Sequence, residues 1–459
     1  MIRHFLLWLL GTLSVANSFA QEKFARQDIL EDLAFLKTSL EKTHGNLYAY
    51  TSKEDFDQQY KALNSSIIAD SMSTLEITGL FQSYVSKANN GHTEIPFPGA
   101  AYIDYAYAGG TLFPLELAFE GDKALIRKNL SGNINLKTGT ELLSIDGQPM
   151  EEVLTHIYPL VSAERHYFKL AKIELISFPR LYWQAFGRRD RFEVTVRRGD
   201  QVSTFSIDAV KVIDGFEQKR DELFSASRTL KFLDQAAYLL PGGFGGDEQS
   251  FRQFIDSCFV AVKRQNASRL IIDLRNNLGG NNAVSDYLVS YLADRPFRWC
   301  SSFSLKTSAM LKEHTRTRYD TTSRYWQSVL THADGTVYPY EFEEYQPQPK
   351  DKRYDGEVYV LVNRQSHSMA AVTAAQIQDY GWATMVGEET GDYPSLYASQ
   401  YGYRLPNTGI EVRVAKGYIV RINGSKKEEG VIPDVLIRDH LLDEEDEVLQ
   451  GLLERLDGK

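Results

Sequence analysis

Two short runs, Leu270-Ile271-Ile272-Asp273-Leu274 and Val358-Tyr359-Val360-Leu361-Val362, constrain this chain more than any other feature. Neither alternates apolar with polar side chains, so each has to bury both of its faces. That is the pattern of parallel strands covered by helices on either side. A polar loop with Gly or Ser follows each run, and a helical stretch follows each loop, at 282–293 and at 368–379. Such β-α units stack into a layered α/β domain, which we place at 216–459. Between the two units, the aromatic and polar stretch from Trp299 to Asp355 is too long for a simple loop and should carry its own structure beside the active face.

The chain before that domain has other patterns. From Asp28 to Ala88 it is helical: Asp28-x-x-Glu31 opens one helix, Ser52 a second, and the capping box Ser73-x-x-Glu76 a third, which Asn89-Asn90-Gly91 stops. Residues 21–98 are therefore expected to form a helical cap domain. Residues 99–215 change to short β runs with turn signals, such as Glu141 to Ile145 and Phe192 to Arg197, and a helical elaboration from Met150 to Gln184. The segment from Lys137 to Pro149 resembles the middle of a PDZ domain.

Met1 to His4 carries one Arg, an apolar run follows from Phe5 to Ala16, and Ser18-Phe19-Ala20 offers small residues for a cut. The run is too short to stay across about 30 Å of hydrocarbon, so residues 1–20 are expected to be a signal peptide and the mature chain to be exported without stable membrane insertion. Lys+Arg 51 against Asp+Glu 61 leaves a net charge of −10, with the basic residues scattered. Without a basic stripe to neutralise phosphates, nucleic acid is not an expected partner. Cys258 and Cys300 lie among apolar neighbours and are expected to be buried small hydrophobes, with pairing left open.

In open parallel sheets, ligands bind beyond the carboxyl ends of the strands. Two segments compete for that place. Asp273-Leu-Arg-Asn-Asn-Leu-Gly279-Gly280 runs a strand into a double glycine, which lets amides approach an anion. Asn363-Arg-Gln-Ser366-His367-Ser368-Met369 runs a strand into a serine at a helix start, with the helix dipole beneath any oxyanion formed there. A serine in that position is ordinarily a helix cap.

Together and in this order, the two segments resemble the C-terminal-processing (tail-specific) serine peptidases, including the core domain of tricorn protease. The likeness continues through Val386-Gly387-Glu388-x-Thr390-Gly391 and ends at Gly430-Val-Ile-Pro-Asp434. It implies a crotonase-like catalytic domain, Ser368 rather than Ser366 as nucleophile, and an oxyanion hole from Met369 and from Gly279 or Gly280. One branch of the family uses a downstream lysine as base, but the corresponding position is Tyr393. The branch that uses a histidine after a helix is matched by Asn90-Gly91-His92-Thr93. An imidazole just past a helix end sits at the negative end of the macrodipole, which favours the protonated form that a general base must reach. The tricorn-like branch has a serine before that histidine, where this chain has Gly91, and a carboxylate near the C-terminus, for which Glu428 or Glu429 is the candidate. Ser366, His44 and Tyr393 are expected to line the substrate cleft. His367 is set aside, because neighbours along an extended chain point apart.

The function expected is an exported serine endopeptidase acting on a peptide or protein, with self-association left open. The alternatives are a binding protein that keeps the fold but not turnover, and a hydrolase of non-peptide esters or amides. No His-Glu-x-x-His, Cys-x-x-Cys or phosphate-loop pattern occurs, so neither a metal nor a cofactor is expected.

Overall fold

The computed structural model describes residues 22–220, 227–234, 236–440, 442 and 445–458. The expected signal peptide lies outside the described residues. Among them, no helix is long and apolar enough to cross a membrane.

The two apolar runs are adjacent, parallel strands, Arg269–Asp273 and Glu357–Val362, in register from Arg269 opposite Glu357 to Asp273 opposite Leu361. They are the middle of a six-stranded sheet in the order Thr229–Phe232, Ala237–Leu240, Arg269–Asp273, Glu357–Val362, Thr384–Gly387 and Val435–Leu436. Only its first pair is antiparallel. Leu270, Ile271, Ile272, Val360, Leu361 and Val362 are all fully buried, as two-sided covering demands. The helices after the two strands are Asn282–Val289 and Met369–Tyr380. The first is shorter than expected. The second is lined with small residues, Ala370, Ala371, Ala374 and Ala375, which let it sit close on the sheet.

The long stretch between the units supplies two strands and two helices, Ser302–Lys306, Ala309–Arg318, Arg324–Thr331 and Val337–Pro339. Its strands join Glu411–Val420 and Leu396–Arg404 in a four-stranded antiparallel sheet. A third sheet, antiparallel and built from Leu115 to Asp208, packs on helices Met150–Ile157, His166–Ile176 and Phe178–Phe186 around a core of its own.

The N-terminal helices are Arg26–Thr43, Lys53–Ser66 and Thr74–Val85. Ser52 and the Ser73/Glu76 capping box act as expected. The first helix starts earlier than the Asp28 signal, at an Ala25 cap that offers no side-chain bond. These helices do not close a separate core. Ile29, Leu33, Phe56 and Phe81 belong to one continuous apolar cluster with Leu239, Ile272, Val360 and Val414 of the two C-terminal sheets. Helical cap and α/β portion are thus held together by the same burial that stabilises each. Cys258 and Cys300 are free and buried.

Candidate active site

Because the two central strands are parallel neighbours, their turns emerge side by side. Four bonds stitch the turns together. Ser366 Oγ donates to the Leu274 carbonyl at 2.8 Å, His367 N–H donates to the Asn277 carbonyl at 2.9 Å, and Asn276 and Asn363 exchange bonds at 2.9 and 3.2 Å. Each contributes on the order of 1 kcal/mol, and together they fix one turn against the other. Ser366 is fully buried in this seam, with its oxygen also accepting the Asn363 N–H. It holds the turns together and does not reach the cleft.

Ser368 is different. Its backbone has φ 54° and ψ −125°, a costly place for a residue with a Cβ, and its side chain makes no capping hydrogen bond to the helix it precedes. A capping serine has an extended backbone and spends its oxygen on the helix. Ser368 does neither and lines a cavity of about 640 Å³. Met369 and Gly280 line it too, and their backbone N–H groups have no partner among the described residues. The Gly279 N–H is already given to Asn277 Oδ1 at 2.8 Å. A Cβ on Gly279 would sit 2.5 Å from the Met369 nitrogen and 2.9 Å from Ser368 Cβ, so only glycine allows this approach.

His92 reaches the same cavity from the N-terminal region. Its loop is held on both sides. Glu94 and Arg413 exchange backbone bonds at 3.0 and 2.9 Å, Ala415 N–H donates to Thr93 Oγ1, and Gln400 donates to the His92 carbonyl at 2.8 Å. On the other side Glu164 Oε1 accepts from both Asn90 and the Gly91 amide at 2.8 Å. A Cβ on Gly91 would meet Phe168 at 2.8 Å and Glu164 at 3.0 Å, which explains why no serine stands there. His92 is 3% exposed, and neither ring nitrogen has a hydrogen-bond partner. Burial, helped by the Lys172 charge, lowers its pKa to about 4. Burial thus outweighs the helix-end field that was expected to favour the protonated ring.

The carboxylate facing His92 is neither Glu428 nor Glu429. Glu428 is exposed, and Glu429 pairs with Lys427 at 3.6 Å on a solvated turn. The position belongs to Asp392, fully buried, with Oδ2 3.9 Å from His92 Nε2 and 3.3 Å from His367 Nε2. Its orientation is set by the N–H groups of Ser368 at 2.8 Å and Tyr393 at 3.0 Å. Burial first, then the charge of nearby Glu164, raises its pKa well above the usual carboxylate range, and burial raises that of Glu164. His367, set aside on the sequence, stacks on His92 with ring centroids 4.9 Å apart. The left-handed turn at Ser368 breaks the extended alternation that would have separated its neighbours.

Two further expectations are corrected. His44 is 1% exposed, with Nε2 on Asn90 Oδ1 at 3.3 Å and Nδ1 accepting the Asn46 N–H at 3.0 Å. It braces the His92 loop from behind and does not line the cleft. Tyr393 is 4% exposed beneath the Arg165 guanidinium and serves through its backbone. The cleft wall comes instead from the inserted stretch, with Trp299, Phe303, Tyr325, Trp326 and Phe342. Lys416 also lines it, its Nζ donating to Ser399 O and Oγ at 2.8 and 2.6 Å. That stretch was expected only to carry its own structure beside the active face, and nothing in the sequence pointed to Asp392, Glu164 or Lys416.

Residues 236–437 match the model of Peptidase family S41. Among solved structures, mature CPAF complexed with lactacystin is similar over 94% of this chain and 97% of that chain, at 16% identity and a TM-score of 0.63. Mature CPAF alone is similar over 94% and 96%, at 16% identity and a TM-score of 0.63. At these identities the likeness is one of fold. No curated protein matches the chain. The family match spans the β-α units that carry Ser368 and the glycine turn, and with a fold shared along nearly the whole length it supports a serine-type peptidase similar to peptidase family S41.

Proposed function

We propose that the chain is an exported endopeptidase that forms an acyl-enzyme on Ser368 with His92 as general base and Asp392 as the carboxylate that steadies it. The observation that carries this reading is Ser368 itself, a serine in a strained turn at a cavity mouth, freed from the capping bond that would otherwise explain it. His92 is neutral near pH 7 because burial opposes its charge, so it is in the form that accepts a proton. As Ser368 attacks a peptide carbonyl, its proton passes to His92, and the imidazolium charge develops beside the crowded Asp392 and Glu164 carboxylates. A positive charge there relieves their mutual repulsion, so the interaction is stronger in the transition state than before it. The open amides of Gly280 and Met369 receive the oxyanion, and the return of the proton to the leaving amine completes acylation.

The aromatic wall suits a large apolar side chain next to the cut bond, with Lys416 the one amine among the described residues that line the cavity. In this reading 21–98 delivers His92, 216–459 delivers the serine, and the PDZ-like part of 99–215 selects extended peptides by strand addition. Residues 1–20 direct export and leave by cleavage near Ala20. A digest of a peptide library by the purified chain and by Ser368→Ala tests the proposal. Cleavage by the parent alone, next to aromatic or large aliphatic residues, is expected. Equal cleavage by both proteins ends the assignment of Ser368.

A further inference from the structure

His92, His367 and Asp392 meet at one point from three distant segments, so no contiguous metal motif announces them. One atom from each, two imidazole nitrogens and a carboxylate oxygen, lie within 4.8 Å of one another. Both nitrogens of His92 and Nε2 of His367 are buried without a hydrogen-bond partner. Three orphaned ring nitrogens in one place are unusual, since buried polar atoms nearly always find partners. A hydrogen bond between each ring and Asp392 would satisfy part of this, but the 3.9 Å from His92 is too long for one.

We propose that these three side chains form a binding site for a divalent zinc-like ion, and that its occupancy reversibly shuts off the peptidase. Two neutral imidazoles and one carboxylate are a borderline donor set that suits Zn²⁺ and its neighbours rather than Mg²⁺ or Ca²⁺. In a tetrahedral site the donors stand about 3.3 Å apart, which follows from bonds of about 2.0–2.1 Å. The separation of 3.3 Å between His367 Nε2 and Asp392 Oδ2 already meets that, and His92, with Nε2 3.9 Å from Asp392 Oδ2 and its donor atom within 4.8 Å of the others, has to swing inward to complete the set. His92 and His367 line the same cavity as Ser368. Asp392 is held in place by the Ser368 and Tyr393 amides, the kind of support that orients a metal ligand. Glu164 adds negative charge close by, and Lys172, bonded to the Gly91 carbonyl and to Glu94, offsets part of it.

Inhibition follows because an ion on the His92 ring occupies the lone pair that has to accept the serine proton. That half of the proposal rests on His92 being the base, whereas binding alone does not. The test is titration of the full chain with Zn²⁺, followed by calorimetry and peptide hydrolysis, and with Co²⁺, followed by its visible absorption. One ion per chain, four-coordinate Co²⁺ bands, inhibition at the same stoichiometry and recovery with EDTA are expected. His367→Asn and Asp392→Asn should each weaken binding at least tenfold. Absence of stoichiometric binding in the parent, or binding undiminished in both variants, overturns the site. Binding to the three residues without loss of hydrolysis overturns the inhibitory role and counts against His92 as base, while leaving the site in place.

Discussion

His44 and His92 begin alike and end differently. Each follows a helical segment, each is buried, and burial lowers each pKa to about 4. His44 has a partner on both ring nitrogens, while His92 has none on either. Position after a helix and depth of burial therefore do not separate a bracing histidine from a reactive one; what separates them is whether the surroundings have already used the lone pair. A ring whose nitrogens are committed stabilises its loop. One that is left open, facing a carboxylate and lining the same cavity as a strained serine, retains a lone pair for a proton.

The comparison is most sharply tested at the serine. Ser368→Ala should lower kcat/KM for peptide hydrolysis by about 10⁵-fold, the scale seen when a nucleophile is removed, with unchanged thermal stability because alanine keeps the Cβ and the same backbone. His92→Ala should cost nearly as much, about 10⁴-fold or more, because nucleophile and base act as a unit. A loss of less than tenfold would put His92 in the same class as His44. Asp392→Asn should reduce kcat by about 10³-fold with little change in KM, since it acts on the imidazolium and not on the bound peptide.

His44→Ala is the reverse case. Hydrolysis should stay within tenfold of the parent, while stability in urea falls by about 1–3 kcal/mol as Asn90 and the Asn46 amide lose their buried partner. A pH-dependent effect on stability is expected at Lys416, whose amine burial lowers to about 7 from 10.5. Between those values the unfolded chain holds a proton that the folded chain refuses, so stability from this group rises with pH across that window. Lys416→Met should remove the rise, seen as a flatter plot of melting temperature against pH between 7 and 10.

The features legible in the sequence are those encoded contiguously. Leu270 to Leu274 and Val358 to Val362 announced the parallel core, and each was followed within a few residues by its share of the chemistry, Gly279-Gly280 and Ser368-Met369. His92 is marked out by the resemblance of Asn90-Gly91-His92-Thr93 to the histidine branch of the family, a helix end alone being the ordinary setting of a capping histidine. Asp392 is not marked out, because only packing presents it to two histidines from remote segments; the resemblance instead singles out the adjacent Tyr393, at the position of the other branch's lysine. His367 was misjudged because alternation assumes an extended chain, and φ 54° at Ser368 removes that assumption. Glu428 and Glu429 had the right chemistry, but a solvated turn holds them. The shared core of the N-terminal helices and the α/β sheets is not legible in the sequence because apolar periodicity shows which face is buried and not what buries it.

Labelling by a fluorophosphonate reports activation of Ser368 by an uncommitted His92 without any assumption about substrate. Peptide mapping of the labelled parent should find the adduct on Ser368, with labelling retained in His44→Ala and lost in His92→Ala. Labelling of His92→Ala at the rate of the parent, or an adduct on another serine, would contradict the account.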